Sequence, residues 1–197
     1  MASLLSLVRV LDRFQGALGQ LTGWLTLLMV LIGAYNAIVR YLGRYFSWSL
    51  SSNAYIELQW YLFGMIFLLA GGATLRRDRH VRVDVFYGRL GPRAKAWIDL
   101  VGLTVMLLPF CAFAFWTSLP MVENSWAVRE TSPDPGGLAR YPIKTLVPVA
   151  FALLVLQGLA EWIRRAALLA GVDPDADAPG SSGAAGEKTS GGPHGVA

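Results

Sequence analysis

The chain has 197 residues, a formal charge of +4, a hydrophobic fraction of 54% and only 15% charged residues, where a soluble domain carries roughly 25% charge. So apolar a chain points to lipid, and with its cations bordering apolar runs the positive charge is no signature of nucleic-acid binding. The single cysteine, Cys111, lies inside such a run, which excludes a disulfide framework or a thiolate metal site within one chain.

Residues 1–20 place Leu4, Leu7, Val8, Leu11, Phe14 and Leu18 on one helical stripe, with Ser6, Arg9, Asp12, Arg13 and Gln15 opposite. That pattern suits an amphipathic helix lying in the cytoplasmic interface, or equally an extension of the helix that follows. Residues 21–39 are uncharged, close to the ~20 residues needed to cross a ~30 Å hydrocarbon core. The long lead before this run, and no small-x-small cleavage site after it, favour an uncleaved helix over a signal peptide. Tyr41, Tyr45, Phe46, Trp48, Tyr55, Trp60 and Tyr61 crowd around the next connection and read as an aromatic belt at headgroup depth.

The second span is predicted over residues 58–75, with Gly64, Gly71 and Gly72 permitting close helix approach and Gln59 able to hydrogen-bond across an interface. The charged tract Arg76 to Asp84 (RRDRHVRVD) follows, with a strict alternation from Val81 to Val85 that lipid attraction alone does not explain. Asp84 is placed to cap a short helix, Gly91 to end it and Pro92 to open the next. A third span is predicted over 100–122, kinked at Pro109, and a fourth over 145–163, where Glu161 interrupts the apolar run and Arg164 and Arg165 are expected to snorkel. Residues 21–168 thus form a four-helix membrane domain, and 169–197, poor in large apolar side chains, a disordered tail.

Lys and Arg divide twelve against five between the two sides of this layout, which predicts both termini in the cytoplasm. The expected class is an all-α integral membrane protein with four transmembrane helices. Haem ligation within the bilayer needs two buried histidines, whereas His80 lies in the charged loop and His194 in the tail. Glu57, Asp99 and Glu161 fall at span edges, where water or headgroups are expected to solvate them, so no proton-carrying carboxylate is expected at mid-depth. No catalytic, cofactor-binding or metal site is expected, and the chain is not read as an enzyme.

The stretch IELQWYLFGMIFLLAGGATLRRDRHVRVDVFYGRL, ending at Leu90, resembles the small DctQ-type membrane subunit of tripartite ATP-independent periplasmic (TRAP) transporters. The string from Asn124 to Leu154 is similar to the branch of that family labelled for mannitol or chloroaromatic compounds. The resemblance covers roughly residues 5–168. It implies a multi-pass protein of the bacterial inner membrane that braces a large DctM-type permease subunit. That partner would carry, by sodium symport, an organic anion delivered by a periplasmic binding protein. Candidate partner-interface residues are Glu57, Gln59, Trp60, Gly64, Gly71, Gly72, Arg77, Arg79, His80, Arg82 and Asp84. Two other readings are a free-standing homo-oligomeric transporter and a membrane anchor for a soluble enzyme.

Overall fold

The computed structural model describes residues 2–46, 52–76 and 90–172. Helix α1 spans Ala2–Phe46, α2 Asn53–Arg76 and α3 Pro92–Gly102; a π-helical turn at Leu103–Leu107 leads into α4, Leu108–Ala127, and α5 spans Tyr141–Leu169. Four stretches are long and apolar enough to cross a membrane: Ser6–Gly43, Asn53–Arg76, Arg93–Ala127 and Tyr141–Leu169. In hydrocarbon the backbone must satisfy its own hydrogen bonds, and helices do so within one segment. Among the described residues the β-structure is one isolated bridge, Thr131 with Ala139.

Each helix outruns its uncharged core. The third, at 35 residues, reaches about 50 Å at 1.5 Å per residue. Residues 2–20 run into the first span without a break, so the amphipathic stretch and the span are parts of one 45-residue helix. Pro92 occupies the first turn of α3 behind Gly91 at its N-cap, where a missing N–H costs nothing. Pro109 lacks the N–H that would bond the carbonyl one turn back, and the helix answers just upstream by widening: the Leu108 N–H reaches back five residues to the Leu103 carbonyl.

Helix α1 packs along α2 and α4 along α5, and α5 also meets α1, α2 and α3, which makes it the hub. The hub face is lined by small residues: Ala150, Gly158, Ala160 and Ala167 are buried there. Large apolar side chains point outward instead, Trp24 at 70%, Phe67 at 71% and Met106 at 75% exposure. Lipid tails solvate such groups as well as a protein core does, so close backbone approach at small residues, with polar contacts, holds the bundle.

Candidate functional site

At one end of the bundle α5 presents Gln157, Glu161, Arg164 and Arg165 along one face, since side chains three or four apart on a helix are neighbours. Asp12 of α1 accepts hydrogen bonds from the Arg164 guanidinium and from Gln157 Nε2 at 3.1 Å, and Arg76 of α2 lies 3.7 Å away. Glu161 accepts from Arg164 Nη1 at 2.8 Å and pairs with Arg165 Nε at 2.9 Å. Arg165 reaches Asp99 of α3 at 3.4 Å. Three carboxylates and three guanidinium groups therefore balance in a clasp that touches all four spans. Isolated charges would be costly here, and pairing removes most of that cost.

This arrangement corrects three expectations. Asp12 and Gln15, assigned to the water-facing side of an interfacial helix, are buried at 8% and 2% exposure, while Leu7 and Phe14 of the opposite stripe are half exposed. The face turned to the bundle mixes the two stripes, Val8 with Asp12 and Gln15, while Arg9 and Arg13 stay exposed; the buried polar pair is stabilised by bonding its neighbours. Gln15 donates to the Leu153 carbonyl at 3.3 Å, and its amide lies over Gly72, where a Cβ would collide with it. Asp99 and Glu161, expected to be solvated at span edges, are neutralised by arginines, and Arg164 and Arg165 pair inward instead of snorkelling. The 157–161–164–165 spacing on one helical face was the sequence signal for this cluster.

The opposite end is closed by a hairpin over residues 128–140. Glu57, also expected to face water, is buried beneath it and accepts from Ser132 Oγ and from the Leu138 N–H at 2.5 Å. Tyr61 donates to the Leu138 carbonyl at 3.4 Å. The hairpin backbone is paired from Ser132 N–H to the Leu138 carbonyl and from Arg140 N–H to the Glu130 carbonyl. At its start the Glu130 N–H returns to the Ser125 carbonyl, and Arg129 takes the left-handed conformation at φ 45° that this helix-ending motif usually gives to glycine. Glu130 accepts from Ser125 Oγ at 2.7 Å and from Lys144 Nζ. The Lys144 and Ser125 hydrogen bonds hold its carboxyl below the usual carboxylate range. Trp126 packs against Tyr141 with the rings tilted and their centroids 4.6 Å apart, and donates to Thr145 Oγ1 at 2.8 Å.

The candidate interface residues divide between inside and outside. Glu57 holds the hairpin, Gly71 meets Leu154 of α5 and Gly72 lies under Gln15. Gln59 lays its amide over Gly33 of α1. Trp60 is 75% exposed, and a Cβ on Gly64 would meet open space. Arg77, Arg79, His80, Arg82 and Asp84 lie outside the described residues, as does the short helix expected after Asp84. Among the described residues no group of three or more His, Cys, Asp or Glu side chains is placed to hold a metal ion.

Residues 29–168 match the family of tripartite ATP-independent periplasmic transporters, DctQ component. The chain belongs to the DctQ family. No curated protein and no solved structure matches it. It is a small membrane subunit of a TRAP transporter, a multi-pass protein of the bacterial inner membrane, in a family of transporter components and not of enzymes. The match takes in Glu57, the hairpin and the arginines of α5. Asp12 and Gln15 precede the matched segment.

Proposed function

We propose that this DctQ subunit braces the large permease subunit during sodium-coupled uptake of an organic anion received from a periplasmic binding protein. The observation that carries this reading is the use to which the buried charges are put. Asp12, Glu161 and Arg164 are paired inside the chain at one end, and Glu57 is held by the hairpin at the other. A bundle crosslinked at both ends by its own polar groups is suited to stay still while a partner domain moves. Helices longer than the hydrocarbon core and exposed tryptophans would hold it at a set depth.

The twelve-to-five cation asymmetry supports an orientation with both termini and the clasp at the cytoplasmic face and the 128–140 hairpin in the periplasm. The tract Arg76 to Asp84 then lies on the cytoplasmic side as a docking element. Labelling single cysteines in a Cys111→Ser background tests the orientation, and labelling of position 134 from the cytoplasm overturns it. Co-expression with the large permease subunit tests the brace: the two should co-purify, and this chain alone in liposomes should carry no solute. Solute uptake by the purified chain alone would refute the reading.

A further inference from the structure

Arg9 and Arg13 lie one turn apart on α1 and are exposed at the clasp end of the bundle. Among the described residues no hydrogen bond or ion pair engages either of them. A third arginine reaches the same place from α2. The Arg76 guanidinium lies across Gly16, where a Cβ would come within 2.7 Å of its Nη1, and Gly16 is one turn from both Arg13 and Gln20. The Arg76 side chain is 37% exposed and its Nε stands 3.7 Å from Asp12, a carboxylate that already accepts from Arg164 and Gln157.

Guanidinium groups thus converge from two helices, and the carboxylate that Arg76 approaches is engaged inside the clasp. Like charges so placed repel one another, and an anion between them removes that cost while accepting from their open N–H groups. Depth decides which anion. Gly16 precedes the uncharged run that begins at Leu21 by five residues, about 7 Å of helix, which matches the layer between the hydrocarbon core and bulk water. A phospholipid phosphate belongs to that layer. Toward the hydrocarbon the same face of α1 continues through the exposed Gln20 to Trp24, 70% exposed, and the half-exposed Leu27. The cationic end is followed by a surface suited to an acyl chain.

We propose that Arg9, Arg13 and Arg76 form a seat for the headgroup phosphate of an anionic membrane phospholipid, whose acyl chains run down α1 past Leu27 and Trp24. A phosphate held by Arg13 and Arg76 together ties α1 to α2, so occupancy stabilises the bundle. Cations at a membrane surface attract anionic lipid wherever they lie; what marks one place is the approach of Arg76 to the Arg13 face across Gly16. Arg93 supplies the comparison, exposed near the same end on α3, a helix that packs on α5. The inference needs only the four-span membrane bundle, and neither its orientation nor the brace reading enters it.

The test is the unfolding temperature of the purified full-length chain in a nonionic detergent as lipid is titrated in. Phosphatidylglycerol should raise it, whereas phosphatidylcholine and millimolar inorganic phosphate should not. The double variant Arg9→Gln with Arg13→Gln should unfold at the unsubstituted temperature or higher in detergent alone, because neither side chain loses a partner. It should raise the half-saturating fraction of phosphatidylglycerol about twentyfold, or about fivefold for each arginine, while Arg93→Gln should raise it less than about twofold. An equal loss with Arg93→Gln would reduce the effect to surface potential and overturn the seat. Equal stabilisation by phosphatidylcholine or by free phosphate overturns it as well, as does an unchanged titration in the double variant or no response to phosphatidylglycerol at all. The brace reading is decided separately, by co-purification with the large subunit.

Discussion

Replacing Asp12 by alanine removes the acceptor on which Arg164 and Gln157 converge. Arg164 keeps Glu161 at 2.8 Å, so its charge is not stranded, but one charge-assisted hydrogen bond is lost, worth about 1.5–3 kcal/mol. Gln157 is fully buried at 0% exposure and its Nε2 loses its acceptor, Asp12, at a cost of about 1–3 kcal/mol for the stranded donor. Arg76, whose side chain is 37% exposed and 3.7 Å away, contributes under about 1 kcal/mol. These terms together span about 2.5–7 kcal/mol, a range centred near the roughly 3–5 kcal/mol of breaking a buried ion pair. In a chain of this size that corresponds to a fall of roughly 10 °C in unfolding temperature. The seven tryptophans allow unfolding in mild detergent to be followed by intrinsic fluorescence. Asp12→Asn, which keeps an acceptor for Gln157, should lose about half as much. The double variant Asp12→Leu with Arg164→Met should recover part of the loss, because it removes both charges and leaves Glu161 paired with Arg165. A shift below about 2 °C for Asp12→Ala, or a double variant no more stable than the single one, would show that the clasp does not hold the bundle.

Arg129→Gly relieves a left-handed backbone at φ 45° and should stabilise the hairpin by about 0.5–1 kcal/mol, seen as a higher unfolding temperature. Gly72→Val drives a branched side chain into the Gln15 amide over a buried position and should cost about 1–3 kcal/mol, with Gly64→Ala as the tolerated control on the same helix. Because the Glu130 carboxyl is held below its ordinary value of 4.5, its contribution is present above that pH and is lost as pH falls through the lowered value. Hydrogen exchange across residues 128–140 should therefore be steady from neutral pH down to about 5 and accelerate, relative to the intrinsic rate, only in stronger acid. Lys144→Met should remove most of that acid dependence.

The number and kind of elements were legible in the sequence because apolar runs of bilayer length leave the backbone no partner but its own helix. The Pro92 helix start was legible for a similar local reason: a residue without an N–H fits the first turn at no cost. Pro109 announced a disturbance in the third span, though the form it took, a π-helical turn, depended on how the surrounding helix re-satisfied its carbonyls. Helix lengths were underestimated because charged residues were taken as ends. Glu161 and Arg164 read as the border of a span, yet they continue it, since each has found a counter-charge.

Which way α1 faces was not local information. The period showed a helix, but a period does not say which medium lies on either side; the packing of α1 on α2 and α5 turned Val8, Asp12 and Gln15 inward together and left Arg9 and Arg13 exposed. The same holds for the partners themselves. Asp12 and Arg164 are 152 positions apart, and Glu57 and Ser132 are 75 apart, and no spacing rule reaches across such distances. What the sequence determined by itself was the cost of each residue in lipid, because transfer free energy belongs to the side chain. Whether that cost was met by water, by headgroups or by a neighbour was decided by the tertiary structure, because a hydrogen bond or ion pair exists only where the folded chain brings its two halves within reach.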